Sequence, residues 1–223
     1  MGQQINIPTT RTQCIGAYLA QPSGKPKGGI VVIQEIFGVN EHIRQVADRF
    51  AAAGYSAIAP AFFDHLETGV ELNYDRGGYS RGKALVNELG FDRALEDVAS
   101  AAEAISSAGR IGTVGYCWGG TVAWRAASKT AGLSAAVPYY GGGMPNFINE
   151  KPKVPVMANF GELDQSPTLE QAKAIAKANP QITAHFYPGA GHGFNCDRRG
   201  SYNKEASKLA RERTLEFFRK HIG

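Results

Sequence analysis

The stretch Gly115-Tyr116-Cys117-Trp118-Gly119-Gly120 constrains this chain most, because it places a thiol where a strand must turn sharply into a helix. Arg110-Ile111-Gly112-Thr113-Val114 before it is a short apolar strand, and Thr121 to Ala127 after it reads as a helix. Glycines on both sides of the central residue allow close backbone approach and a strained turn that holds the Cys117 side chain out. The first N–H groups of the helix then surround the point where an oxyanion would develop, which is acyl-transfer geometry. The competing reading is a buried cysteine in an ordinary glycine-rich turn, since free cysteine is among the most buried residue types.

The rest of the chain favours the first reading. Behind such an elbow an acid and then a histidine follow in chain order, each on a loop after a later strand. Val154 to Phe160 reads as a buried strand, and Gly161-Glu162-Leu163-Asp164 follows as a turn with Asp164 at its end. Gln181 to Tyr187 alternates polar and apolar as an exposed edge strand does, and it runs into Pro188-Gly189-Ala190-Gly191-His192-Gly193-Phe194. His192 therefore sits in a glycine-flanked loop just past a strand, where a general base can reach the thiol. Glu162 is the nearest rival to Asp164 but comes directly after the first glycine of its turn. Among the other histidines, His42 lies at a helix start, His185 within a strand and His221 at a frayed terminus, while His65 reads as a solvated loop residue or a cleft liner.

At 223 residues and 43% hydrophobic content, the chain is expected to form one α/β domain over residues 1–223. Its net charge of +4 is spread without basic runs, so neither nucleic acid nor a membrane surface is indicated as a partner. The N-terminus Met1 to Pro8 has no leader-like pattern and no later apolar run reaches membrane-spanning length, which predicts a cytoplasmic protein. Three widely spaced cysteines, at 14, 117 and 196, imply neither a disulfide framework nor a zinc site. No cofactor and no metal are expected, and the oligomeric expectation is a monomer or weak homo-oligomer.

Strands and helices alternate throughout, which predicts an α/β fold with a mostly parallel sheet and helices on both faces. Strands are expected at 15–19, 29–34, 55–60 and 134–140, and helices at 39–53, 91–107, 168–178 and 203–221. Two glycine- and aromatic-containing segments, 65–81 and 141–150, read as loops suited to a pocket rim or lid.

Gln34-Glu35-Ile36-Phe37-Gly38-Val39-Asn40, the elbow, Tyr139-Tyr140-Gly141, Gly161-x-x-Asp164 and Ala190-Gly191-His192-Gly193-Phe194 together resemble the dienelactone hydrolases over nearly the whole chain. The resemblance implies a cytoplasmic α/β-hydrolase of aromatic-compound breakdown, a carboxymethylenebutenolidase-like ester hydrolase that opens small enol-lactones through an acyl-enzyme without a cofactor. It implies Cys117 as nucleophile, His192 as base and Asp164 as orienting acid. It also implies that Glu35 keeps the resting thiol neutral, consistent with a carboxylate disfavouring a nearby thiolate, although a structural ion pair is the alternative. The oxyanion donors would be the N–H groups of Trp118 and Ile36, with Arg81 and either Arg198 or Arg199 gripping a substrate carboxylate. At the position four past His192 the chain departs from the family pattern, carrying Cys196. Phe37, Trp118, Tyr139 and Phe194 would supply apolar walls, with a core role open for Tyr139. Alternatives are a related carboxylesterase or thioesterase-like hydrolase, a class I amidotransferase-like enzyme, and a non-catalytic thiol sensor. His192-Gly193-Phe194-Asn195 lacks the acidic residue that an amidotransferase places just after its histidine.

Overall fold

The computed structural model describes residues 2–10 and 13–223. In chain order its elements are β1 (Gln3–Pro8), β2 (Cys14–Ala20), β3 (Gly29–Ile33), α1 (Glu41–Ala52), β4 (Ser56–Pro60), α2 (Arg76–Leu89), α3 (Phe91–Ala104), β5 (Ile111–Tyr116), α4 (Trp118–Lys129), β6 (Leu133–Tyr139), β7 (Met157–Gly161), α5 (Leu169–Ala178), β8 (Thr183–Tyr187) and α6 (Lys204–His221). The eight strands form one sheet in the order β1-β2-β4-β3-β5-β6-β7-β8. Its first two pairings are antiparallel, and the remaining strands run parallel.

The central strands are short apolar runs buried along their whole length, as strands covered on both faces must be. Alternation then sorts their side chains. Ile30 and Val32 point to the face covered by Ile43, Val46 and Phe50 of α1 and Ala206, Ala210 and Phe218 of α6. Val31 and Ile33 point to the opposite face, under Leu85 and Leu89 of α2, Val98 of α3 and Val122 of α4. The sequence-expected α/β fold with helices on both faces is the fold observed.

Two local expectations need correction. The segment 65–81 is a loop only to its middle, since α2 begins at Arg76. Three glycines lower helix propensity there, but Asp75 caps the helix, its side chain accepting from Gly78 N at 2.7 Å. The apolar stripe Leu85, Val86 and Leu89 then docks onto the core. His65 is not solvated either. Its Nε2 lies 2.9 Å from Asp97 Oδ1, and the two side chains are only 2% and 1% exposed. The sequence reading also passed over β1, an edge strand held by β2. No helix among the described residues is long and apolar enough to cross a membrane.

Candidate active site

Between β5 and α4 the chain turns within one residue. Cys117 takes φ 57° and ψ −117°, left-handed backbone that a side-chain-bearing residue adopts only under constraint. The constraint comes from close packing. A Cβ on Gly115 would sit 1.9 Å from Gly119 O, and one on Gly119 would sit 2.3 Å from Gln34 O, so only glycine fits either side of the elbow. The Cys117 N–H donates to Tyr139 O at 3.1 Å, tying the turn to the end of β6. Trp118 opens α4, so its N–H has no acceptor within the helix. Ile36, in the turn after β3, lines the same cavity as Cys117 and Trp118.

His192 and Asp164 come from the loops after β8 and β7. His192 Nδ1 lies 3.0 Å from Asp164 Oδ2 and 3.2 Å from Oδ1, and Asp164 Oδ1 also accepts from Ser166 N at 2.8 Å. Burial pushes the His192 imidazole down, but the Cys117 side chain beside it and the bond to Asp164 outweigh this and raise it to about 11. Cys117, His192 and Asp164 all line one cavity of about 480 Å³. The sequence-expected trio therefore meets in space, although each member lies on a different loop.

Beneath the elbow, Glu35 is fully buried. Its Oε1 accepts from Arg199 Nη1 at 3.0 Å and its Oε2 from the Tyr74 hydroxyl at 2.8 Å. Burial opposes the Arg199 charge, yet Glu35 first and Cys117 second hold the guanidinium above its ordinary range. Burial also pushes the Tyr74 hydroxyl far up, and the Glu35 charge adds to this, so it remains a donor. Of the two arginines left open by the sequence, Arg199 is the one at the site. Arg198 instead pairs with Glu41 at 2.6 Å on the surface.

The remaining substrate candidates divide. Trp118 lines the cavity with Phe91, and the two rings stack at 6.1 Å. Arg81 does not line it: on α2 it is exposed and paired with Glu67. The cation that does is Lys83, one half-turn along the same helix, which the sequence reading did not single out. Phe37 is buried against Tyr74, with ring centroids 4.5 Å apart. Phe194 is buried among Tyr139, Tyr140 and Tyr187. Tyr139 takes the core role left open for it, its hydroxyl 2.6 Å from Thr214 Oγ1. Tyr140 is the tyrosine that meets the site, its ring edge-on to His192 at 5.2 Å. It lies just past the end of β6 with φ 36°, so the chain turns there, and its ring stays 6.0 Å from that of Tyr139 while reaching His192.

A mostly parallel sheet carrying such an elbow, with a histidine and an acid on later loops, is an α/β-hydrolase fold. A model of the dienelactone hydrolase family matches residues 15–222, and the chain belongs to that family. It is 34% identical over 231 residues to a protein of Azospirillum brasilense named "Putative carboxymethylenebutenolidase", covering 98% of this chain and 99% of the other. It is 30% identical over 223 residues to a carboxymethylenebutenolidase of Pseudomonas putida, covering 96% and 94%. The crystal structure of a "Putative Dienelactone Hydrolase" from Klebsiella pneumoniae superposes with a TM-score of 0.89 at 28% identity, covering 99% of each chain.

Proposed function

We propose that this chain hydrolyses small enol-lactones or related esters of the carboxymethylenebutenolide type through an acyl-enzyme on Cys117. The observation that carries this reading is the meeting of Cys117 with the His192–Asp164 pair, 3.0 Å apart, at one cavity. Asp164 holds Nδ1, leaving Nε2 to manage the thiol proton. The thiolate attacks the lactone carbonyl, and the resulting oxyanion is met by the N–H groups of Trp118 and Ile36. Collapse breaks the ring C–O bond, His192 supplies a proton to the departing enolate, and water then cleaves the thioester with His192 as base. Carbonyl and water are the only reactants, so no cofactor enters the scheme. Glu35 restrains the thiolate until substrate binds, its charge balanced from below by Arg199.

At the substrate end, Arg81 and Arg198 are engaged in surface ion pairs. Lys83 is the cation lining the cavity, so it receives an anionic group on the substrate. Turnover of p-nitrophenyl acetate and of dienelactone in Cys117→Ala, beside a Cys14→Ala, Cys196→Ala double variant, tests the scheme. Loss of at least a thousandfold is expected in Cys117→Ala. Full activity in that variant would overturn the reading.

A further inference from the structure

Three segments bring together a group of side chains that the hydrolytic scheme does not use as a unit. Glu35 comes from the turn after β3, His42 from the first turn of α1, and Cys196 from the loop that follows His192. A carboxylate oxygen, a ring nitrogen and Sγ from these residues lie within 4.8 Å of one another, and all three residues are buried.

His42 is the informative member. Its residue is 1% exposed, and neither ring nitrogen has a hydrogen-bond partner. A buried polar group left in that state costs about 1–3 kcal/mol, and native folds leave few of them without a purpose. Nδ1 does have a carboxylate nearby, Asp197 Oδ1 at 3.4 Å, too poorly aligned for a hydrogen bond. Asp197 is itself held by Arg49 Nη2 at 3.0 Å. A carboxylate behind one nitrogen of an imidazole, with sulfur and oxygen donors gathered beside the ring, is the pattern of a metal-ligating histidine and its outer partner.

We infer that Glu35, His42 and Cys196 form a binding site for a borderline divalent cation of the zinc class. One sulfur, one nitrogen and one oxygen donor suit zinc or cobalt, whereas calcium and magnesium require oxygen-rich sites. Two anionic ligands balance the dication. Zinc bonds of about 2.0–2.3 Å place tetrahedral ligands roughly 3.5 Å apart, so the group must contract by about 1 Å. His42 sits on a regular helix, and the loop carrying Cys196 supplies the movement. Glu35 can take part without losing its neighbours: each carboxylate oxygen accepts two bonds, and Arg199 and Tyr74 take one on each oxygen. On binding, the Cys196 S–H bond breaks, its proton passes to solvent, and a sulfur–metal bond replaces it. The site shares Glu35 with the proposed acyl-enzyme scheme but none of Cys117, His192 and Asp164, and its test reads metal binding rather than turnover.

The Cys117 thiol and His192 can also attract zinc, so the test removes that thiol. In a Cys14→Ser, Cys117→Ser variant Cys196 is the sole remaining thiol, and Co²⁺ titration reads it directly. The expected result is a thiolate-to-cobalt charge-transfer band that saturates at one equivalent and is bleached by Zn²⁺. The band should vanish on adding Cys196→Ser. Cobalt affinity should fall at least tenfold in His42→Gln and in Asp197→Asn, the latter at a half-exposed position. Circular dichroism confirms folding of each variant. No charge-transfer band in the folded double variant would overturn the assignment. So would a band that survives Cys196→Ser, or an affinity unchanged in Asp197→Asn.

Discussion

At the residue scale, opposing charges organise this site. His192 titrates high chiefly because Cys117 faces it, against the downward push of burial. In Cys117→Ala the imidazole should therefore titrate well below about 11, which NMR of the His192 ring can follow. An unchanged titration would mean that Asp164 alone sets it. In the proposed scheme Glu35 opposes the Cys117 thiolate, while Arg199 pairs with Glu35 at 3.0 Å. In Glu35→Gln the repulsion disappears and the Arg199 charge is left beside the thiol, so iodoacetamide should alkylate Cys117 faster at neutral pH while turnover falls. Mass spectrometry of the Cys117 peptide separates this from reaction at the exposed Cys14. If Glu35 is only structural, the alkylation rate will stay put and only the melting temperature will drop. Cys117, His192 and Asp164 were legible because each sits in a short local signature, a turn glycine beside a strand end. The Glu35–Arg199 pair was only half legible, since it joins positions 164 residues apart and two adjacent arginines offered themselves.

At the element scale, the elbow depends on backbone packing against backbone. A methyl group on Gly119 would lie 2.3 Å from Gln34 O and 2.6 Å from Ile33 O, and neither carbonyl belongs to a flexible side chain that could swing aside. Gly119→Ala should push α4 away from β3, at a cost of about 1–3 kcal/mol in urea unfolding, with a much larger proportional loss of ester turnover. Equal stability in the variant would show that the turn has slack. The same element logic explains the misread segment before residue 81. Glycines at 77, 78 and 82 hide α2 from propensity arguments, whereas Gly82 is required because a Cβ there would meet Ile36 O at 2.1 Å. Once the helix forms, its turn-by-turn rotation sends Arg81 to the surface and Lys83 to the cavity.

At the scale of the whole molecule, the buried His65–Asp97 pair makes one contribution to stability depend on pH. Burial raises the Asp97 carboxyl to about 6, only partly countered by His65. Its folded value lies above the unfolded one, so the folded chain holds the proton more tightly. The contribution of Asp97 to stability is then fully present below about pH 4 and is lost as pH rises through about 6. The difference amounts to about 3 kcal/mol across that window. Urea midpoints measured from pH 4 to pH 7 should fall less steeply in Asp97→Asn than in the unaltered protein. A parallel pair of curves would exclude Asp97 as the titrating group.

The sequence by itself determined the layered α/β plan, because short apolar runs bounded by turn residues and apolar helical stripes are local properties that no partner needs to supply. It also determined the chain order and loop placement of cysteine, acid and histidine, since glycines mark those turns in the sequence. Only the tertiary structure decided which arginine meets Glu35, which tyrosine faces His192 and which cation enters the cavity. Those choices depend on the direction in which a side chain leaves the backbone, and that direction changes from one residue to the next along a helix, a strand or a turn.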